Sequence, residues 1–288
     1  MTALFALATS LMWGLADFGG GLLTRRIAAL TVVVVSQGLA VGVLGAIVIA
    51  TGGWSEAGPR LWFAVAAGVI GPIGMLCFYR ALAIGPMGVV SSVGALGQVC
   101  VPLGVGLALG ERPGPLQFTG IAVAIAGVVL ASDPRLGGAA VQRQTLLLTL
   151  IAAFGFGSVM TLIAAASTTV TGLFLALFVQ RVCNVLIGGA ALAVSVRRGG
   201  KALPEGGRHA IYASLPALAF VGLADVAANG TYAIAAQHGP VTVAAVLASL
   251  YPVVTALAAR GLLRERMHVS QTAGAGLALI GTILLTSG

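Results

Sequence analysis

The chain contains the stretch GPMGVVSSVGALGQVCVPLGVGLALGERPGPLQFTGIAVAIAG at residues 85–127, and residues 239–281, GPVTVAAVLASLYPVVTALAARGLLRERMHVSQTAGAGLALIG, follow the same plan. In both stretches a Gly-Pro turn precedes an apolar run, a Glu-Arg pair and a second apolar run rich in small residues. The matching residues all lie 154 positions apart (240 minus 86, for example): Pro86 and Pro240, Glu111 and Glu265, Arg112 and Arg266, Gly120 and Gly274, Gly127 and Gly281. A constant offset over the whole stretch indicates an internal duplication.

The composition is that of a membrane protein rather than a soluble one. Hydrophobic residues make up 59% of the 288 residues and charged residues only 8%, whereas soluble globular domains carry about 25% charged residues. Apolar runs of about 20 residues, the length that a helix needs to cross a hydrocarbon core of ~30 Å, follow one another almost without pause. A transmembrane barrel would instead alternate over segments of about ten residues. We therefore expect an all-α integral membrane protein.

Glycine, proline and charge clusters divide the apolar sequence into ten predicted transmembrane helices. Their approximate bounds are residues 2–24, 30–51, 61–84, 87–110, 115–132, 144–166, 170–196, 209–236, 241–261 and 270–286. The first five-helix repeat comprises residues 1–132, a connecting loop residues 133–143, and the second five-helix repeat residues 144–288. Because each repeat has an odd number of helices, the two repeats are expected to be inverted relative to each other, an arrangement typical of secondary transporters.

The net charge of +8 is carried mostly by short loops. Basic residues concentrate in the loops after odd-numbered helices, and the loops after even-numbered helices hold only Arg60 and Arg112. Such a bias orients membrane helices and predicts that both termini lie outside the cytoplasm, so nucleic-acid binding is not expected. Because no charge precedes the first apolar run and Arg25 and Arg26 follow it, the first helix is expected to remain in the protein.

Ionisable residues within the apolar runs are few, and each costs at least ~2.5–3.5 kcal/mol on insertion scales, so each calls for a partner or a function. Asp17 lies late in the first predicted helix and Asp225 in the eighth. Asn229 and Tyr232 follow Asp225 by one and two helical turns and share its face. The remaining candidates for substrate binding or coupling are Trp13, Arg80, Ser91, Gln98 and Arg181.

Two interpretations of the aspartates remain open. In the first, Asp17 and Asp225 line a central cavity, where they bind protons or a cationic group of a substrate. In the second, each pairs permanently with Arg80 or Arg181 and only stabilises the bundle. Arg80 has a third option, in which its side chain extends to the membrane interface.

The two copies differ at positions that bear on a substrate. Gln98 occupies the position that Pro252 has in the second copy, and such asymmetric polarity is what a substrate with two different ends requires. Tyr79 is interpreted as the counterpart of Tyr232, displaced by one inserted residue. Both tyrosines and Trp13 are candidates for stacking on a substrate, although interfacial anchoring explains Tyr79 equally well.

Small residues, prolines and the Glu-Arg pairs are expected to shape the bundle. Faces of small residues let membrane helices approach closely, within one chain or across a dimer. They recur on the fifth and tenth predicted helices, as Gly120, Ala124, Gly127, Gly274, Ala278 and Gly281. Pro102 and Pro252 are expected to bend their helices. Glu111-Arg112 and its copy are expected to close a short turn and not to form a catalytic pair.

These residues resemble the EamA family of the drug/metabolite transporter superfamily, and the resemblance covers essentially the whole chain. The supporting motifs are Trp13-Gly14, Tyr79-Arg80-Ala81-Leu82, Gly85-Pro86 and Gly110-Glu111-Arg112, with Tyr232, Gly239-Pro240, Leu250-Tyr251-Pro252 and Arg264-Glu265-Arg266 in the second copy. The counterpart of Trp13-Gly14, around residues 154–157, lacks the tryptophan.

The resemblance implies a ten-helix inverted-repeat carrier, usually an exporter of amino acids, other metabolites or toxic compounds by alternating access. It also implies a central cavity formed mainly by the first, third, fourth, sixth, eighth and ninth helices, which brings Asp17, Gln98 and Asp225 towards one place. Members of the family commonly keep both termini in the cytoplasm. Because the loop charges predict the reverse, the orientation stays open.

We therefore expect a secondary transporter of the plasma membrane, a monomer or homodimer whose partners are a small-molecule substrate and the lipid bilayer, with proton coupling through Asp17 or Asp225 as an option. A passive channel or facilitator and a scaffold subunit without transport activity are the alternatives. An enzyme is not expected, because the sequence has no HExxH or paired-aspartate metal motif, and it has no P-loop for direct ATP use. The three cysteines lack metal-ligand spacing, so neither a metal nor another cofactor is expected.

Overall fold

The computed structural model describes residues 1–24, 26–84, 87–131, 143–204, 206–263 and 269–287. Within these residues it contains a short 3-10 turn at Gly53–Glu56, twelve α-helices and no β-strand. The helices are α1 Thr2–Thr24, α2 Ala29–Ala50, α3 Leu61–Ile84, α4 Met87–Ala108, α5 Pro115–Ala131, α6 Arg143–Ala166, α7 Val170–Arg197, α8 Gly207–Ala213, α9 Leu215–His238, α10 Val241–Ala248, α11 Tyr251–Leu263 and α12 Val269–Ser287. The expectation of an all-helical protein is confirmed for this part of the chain.

Six of the described helices are long and apolar enough to cross a membrane. They are α1, α2, α6, α7, α9 and the part of α3 from Leu61 to Phe78. Shorter apolar helical segments are Leu96–Ala108, Pro115–Leu130 and Val241–Thr255. Four sequence features lie outside the described residues: Arg25, the Gly85-Pro86 turn, residues 132–142 of the chain and the second Glu-Arg pair within residues 264–268.

Two of the predicted helices are divided in the structure, each near a proline. The eighth predicted helix, 209–236, becomes α8 and α9, and Pro216 lies in the first turn of α9. The ninth, 241–261, becomes α10 and α11, because Pro252 has no N–H to donate to the carbonyl of Ala248. The bend predicted at Pro252 is therefore a break, whereas Pro102 lies inside an undivided α4.

Each of the main contacts between the two halves of the chain occurs a second time between the counterpart helices. Helix α6 is the counterpart of α1, α9 of α3, and α10 with α11 of α4. α1 packs on α9, and correspondingly α6 packs on α3. α1 also packs on α10 and α11, and correspondingly α6 packs on α4. α2 packs on α9 as α7 packs on α3. The pairs α2–α7 and α5–α12 join counterparts directly. A duplicated unit whose copies are related by a pseudo-two-fold axis produces this pattern.

Glycines at equivalent positions allow two close helix approaches. A Cβ on Gly14 of α1 would lie 2.9 Å from the carbonyl oxygen of Tyr251 in α11, and a Cβ on Gly157 of α6 would overlap the carbonyl of Gly97 in α4. Gly97 and Tyr251 lie 154 positions apart, the offset of the duplication. The absence of a side chain at Gly14 and Gly157 lets backbone meet backbone, as small residues do in membrane bundles.

The small-residue faces predicted on the fifth and tenth helices pack on each other within the chain. α5 lies along α12, and a Cβ on Gly281 would lie 2.7 Å from the Cα of Ala124. The sequence left open whether these faces pack within one chain or across a dimer, and this contact lies within one chain.

Contacts between helix ends give the directions of the helices. The ring of Phe5, in the first turn of α1, lies 6.1 Å from that of His238 at the end of α9. Gln237, also at the end of α9, donates from Nε2 to the carbonyl oxygen of Ser167, directly after α6, at 2.6 Å. α1 therefore begins and α6 ends at one end of the bundle, which we call the N-terminal face. At the other end, the opposite face, the hydroxyl of Thr31 donates to the carbonyl oxygen of Ala202 at 2.6 Å.

Candidate functional site

The carboxylate of Asp225, in the middle of α9, is bonded by side chains from three other helices. Trp13 Nε1 of α1 donates to Oδ1 at 3.1 Å, and Gln37 Nε2 of α2 donates to Oδ2 at 3.0 Å. Arg181 of α7 forms an ion pair with Oδ2, with Nη1 at 2.9 Å. Asn229, one turn further along α9, donates from Nδ2 to Oδ1 at 3.2 Å. Both carboxylate oxygens are thus engaged.

Arg181 is the buried member of the ion pair, with a side chain 4% exposed against 24% for Asp225. Its Nη1 also donates to Gln37 Oε1 at 2.9 Å. When the amide of Asn184 is turned so that its nitrogen donates to the carbonyl of Gly68 at 3.0 Å, its oxygen lies 3.2 Å from the same Nη1. Removing one member of a buried pair leaves an uncompensated charge, at a cost of about 3–5 kcal/mol. Arg181 and Asp225 therefore stabilise each other.

Aromatic side chains extend the cluster towards α4. The ring of Trp13 stacks on that of Tyr232, with centroids 6.4 Å apart and planes at 28°, and meets Tyr251 edge-on at 6.3 Å and 75°. Gln98 Nε2 of α4 donates to the Tyr251 hydroxyl at 3.4 Å. Gln98 Oε1 and the hydroxyl of Tyr232 are buried and have no hydrogen-bond partner among the described residues. Both are therefore buried polar groups without a partner in the described structure, which calls for an explanation.

Asp17 lies one helical turn beyond Trp13 and has a different environment from Asp225. Among the described residues its carboxylate has neither a hydrogen bond nor an ion pair. It interacts electrostatically with Asp225 and Tyr251 and lies deep among protein atoms, although these atoms do not cover its whole surface. An unpaired carboxylate at membrane depth calls for a partner or a function.

An apolar version of this aromatic contact joins α3 and α6. Phe156 of α6 meets Phe78 of α3 edge-on, with centroids 5.5 Å apart and planes at 69°, in the place where Trp13 of α1 stacks on Tyr232 of α9. Phe78 and Tyr232 lie 154 positions apart, the offset of the duplication. The interpretation of Tyr79 as the counterpart of Tyr232 is therefore wrong, and no inserted residue is needed.

Two polar residues of the site, Asp225 and Gln98, have apolar counterparts as well. Gly71 lies 154 positions before Asp225, and Pro252 lies 154 positions after Gln98. A Cβ on Gly71 would have ordinary contacts only, the nearest atom being Cγ2 of Val159 at 3.5 Å. The two halves therefore share a fold, and the site differs on its two sides.

Most of the residues predicted from the sequence come together. The connected cluster contains Trp13, Gln98, Arg181, Asp225, Asn229 and Tyr232, with Asp17 beside it. Arg80 is exposed and forms no ion pair with either aspartate. The side chain of Ser91 lies outside the described part of the chain.

Gln37 belongs to the cluster and was missed by the sequence analysis. It is 8% exposed and bonds both Asp225 and Arg181. Its signal in the sequence was the polar pair Ser36-Gln37 in the middle of an otherwise apolar helix. A neutral amide at membrane depth needs a partner as a charge does, because lipid offers none.

The fold and the cluster together define a multi-pass helical membrane protein with a polar site between two related halves. The chain matches the model of the EamA-like transporter family over residues 1–133 and again over residues 143–287. It belongs to this family, a family of membrane transporters.

The solved structures agree on the fold. One crystal structure, among 29 solved chains that match, is similar over 99% of this chain and 96% of its own, with a TM-score of 0.73 and 19% sequence identity. At that identity the similarity shows the fold alone. No curated protein sequence matches the chain.

Proposed function

We propose that this protein is a secondary transporter that exports a small polar or amphipathic metabolite, such as an amino acid or a related compound, by alternating access. The observation that carries the proposal is the buried cluster around Asp225, which connects α1, α2, α7 and α9 in the middle of the bundle. Ionisable groups at membrane depth are costly and mark substrate or ion pathways. Membership of a transporter family supports the same function.

The proposal includes ten crossings of the plasma membrane, with residues 1–132 and 144–288 as inverted five-helix repeats. α8 and α9 then form the eighth crossing, and α10 and α11 form the ninth. The exchanged packing partners and the opposite directions of α1 and α6 support an inverted relation. Carriers of this kind bind their substrates near the midplane, between the repeats.

Within this site we assign different roles to the two aspartates. Asp225 is held by four side chains and paired with Arg181, so it acts as a fixed charge that positions the indole of Trp13. Asp17 has no such partner and is the residue that binds the coupling proton or a cationic group of the substrate. The ionisable groups facing it from neighbouring helices are Asp225 on α9 and Tyr251 on α11, with Arg181 behind Asp225.

The surroundings of Asp17 favour a substrate with one polar and one apolar part. Trp13 and Tyr251 offer aromatic surface one turn away, and Gln98 adds an amide whose oxygen is unbonded within the described structure. A molecule that stacks its apolar part on the rings and places a polar group at Gln98 or Asp17 contacts both the aromatic surface and the polar groups of the site.

The first test is untargeted mass spectrometry of the medium around cells that express the wild type, Asp17→Asn or Asp225→Asn at equal membrane levels. A metabolite that accumulates only with the wild type names the substrate class. No difference between wild-type and empty cells contradicts the export proposal.

Counterflow in proteoliposomes then separates a carrier from a channel. Preloading vesicles with the identified substrate accelerates uptake of labelled substrate if one site alternates between the two faces. Non-saturable uptake that preloading leaves unchanged indicates a passive channel or facilitator, the alternative that the sequence leaves open.

A further inference from the structure

The carboxylate of Glu111 reaches from the first half of the chain to the start of α10 in the second. The amide of Val241 donates to Oε1 at 2.6 Å. Thr242 donates to Oε2 from its amide at 3.2 Å and from its hydroxyl at 2.7 Å. The first amides of a helix have no partner within it, and a carboxylate there also interacts favourably with the helix dipole. Glu111 is thus a helix cap that one repeat supplies to the other.

The end of α4 is shaped to present this carboxylate. Gly110 has φ +95°, a left-handed conformation that favours glycine. The turn brings the amide of Glu111 to the carbonyl oxygen of Gly106, at 2.9 Å. A Cβ on Gly106 would lie 2.5 Å from Glu111 Oε2 and 2.9 Å from Thr242 Oγ1, so glycine leaves the space that the carboxylate occupies. The end of α4 and the start of α10 are connected through one side chain.

α10 lies between the candidate site and the N-terminal face. Its residues from Thr242 to Ala248 are all buried, and it packs on α1, α4 and α9. The residues from Val243 to Ala248 share one apolar cluster with Ala6 of α1 and Tyr232 of α9. The cluster fills the interior of the bundle between the site and the N-terminal face.

α10 is also connected to the site through the break that follows it. Tyr251, directly after the break, contacts Trp13 and Gln98. A movement of α10 therefore changes the position of an aromatic wall of the site. The break supplies a hinge, because Pro252 cannot complete the helical hydrogen bond across it.

The two sides of the site differ in access. Ser10, nearly one turn before Trp13 towards the N-terminal face, is 3% exposed. Asp17, one turn beyond Trp13 towards the opposite face, has part of its surface uncovered, so the packing there is less tight. The described structure thus corresponds to a carrier that is closed towards the N-terminal face.

We propose that Glu111 and the start of α10 form a latch that holds the site closed towards the N-terminal face, and that the latch separates when the carrier opens to that face. The purpose of the latch rests on the proposed transport function, but its test does not. Glu111 is a positioning residue, since it acts through α10 and does not contact the site.

The test measures access to a single cysteine, Ser10→Cys, in a background where Cys77, Cys100 and Cys183 are replaced by alanine. A charged, membrane-impermeant thiol reagent is applied to right-side-out and to inside-out vesicles. Ser55→Cys, in the exposed 3-10 turn beside the N-terminal face, identifies the preparation that presents this face. With Glu111 intact, Ser10→Cys reacts slowly from that face.

Glu111→Ala is expected to raise this reaction rate about tenfold, because loss of a charge-assisted hydrogen bond shifts an equilibrium by about that factor. Thr242 is fully buried, and Thr242→Val removes its hydroxyl donor but keeps its backbone amide. This variant is therefore expected to raise the reaction rate less. Glu56→Ala is the matched control, because it removes an exposed carboxylate at the same end of the bundle. It should leave the rate unchanged.

The outcomes separate the latch from the transport proposal. An unchanged rate in folded Glu111→Ala and Glu111→Gln overturns the latch, whatever the protein transports. If Glu111→Ala does not fold, Thr242→Val decides, and an unchanged rate there overturns the latch too. A raised rate in a protein for which no transported substrate is found supports the latch and contradicts only the transport function.

Discussion

Arg181 and Asp225 form an ion pair at 2.9 Å between α7 and α9, and the arginine is the more buried of the two. The same Nη1 contacts Gln37 on α2, so one guanidinium connects three helices in the middle of the bundle. The sequence left open whether Asp225 binds a substrate or pairs permanently with an arginine. The geometry favours a permanent pair for Asp225 and leaves Asp17 as the carboxylate without a partner.

Breaking this pair from either side is expected to destabilise the protein. Arg181→Met and Asp225→Asn should each lower the thermal unfolding temperature in detergent. Asp225→Asn should cost about 3–5 kcal/mol, because it leaves the buried Arg181 uncompensated, and Arg181→Met should cost less, because Asp225 is 24% exposed. The double variant should lose less than the sum of the single losses, since it leaves no uncompensated charge. Strictly additive losses would show that the two side chains do not depend on each other.

The fold was more predictable from the sequence than the site. Helix positions followed from apolar runs and their breaks, because length and polarity suffice to place a helix in a membrane. Three of the four partners of Asp225 come from helices that are distant in sequence, α1, α2 and α7, and no periodicity within one helix predicts such contacts. Only Asn229, one turn further along α9, followed from helical spacing. The match of Phe78 with Tyr232 was missed because sequence identity favoured Tyr79, whereas the ring contacts follow the constant offset.

Asp17→Asn is expected to remove the response of transport to pH while leaving stability nearly unchanged. The carboxylate has no hydrogen bond or ion pair within the described structure, so its neutralisation breaks no contact there. Initial rates in proteoliposomes, with and without a pH gradient, give the response, and thermal unfolding gives the stability. Asp225→Asn provides the contrast, because it should reduce stability as well. A gradient response that survives in Asp17→Asn contradicts the assignment of coupling to Asp17.

Gly281→Leu is expected to destabilise the packing of α12 on α5. A side chain at this position meets the backbone of Ala124, with a Cβ 2.5 Å from its amide nitrogen, and such overpacking costs about 1–3 kcal/mol. Gly276→Leu is the matched control, since it lies on the same helix and a Cβ there meets nothing within 4 Å. Thermal unfolding in one detergent should separate the two variants. Equal unfolding temperatures of the two variants would mean that α5 and α12 do not pack closely in the folded protein.

Trp13→Phe tests whether the indole nitrogen, rather than the ring alone, prepares the site. The second half of the chain already has phenylalanine at the equivalent position, Phe156, which contacts Phe78, so the fold accepts this ring. The variant loses the hydrogen bond from Nε1 to Asp225, which for a charged acceptor is worth about 1.5–3 kcal/mol. Because the remaining ring is no longer held against Tyr251, KM for the exported substrate should rise about tenfold or more, while the maximal rate changes less. Trp13→Tyr is the informative companion, since its hydroxyl does not reproduce the position of the indole N–H. If both variants keep the wild-type KM, the orientation of Trp13 by Asp225 has no part in substrate binding.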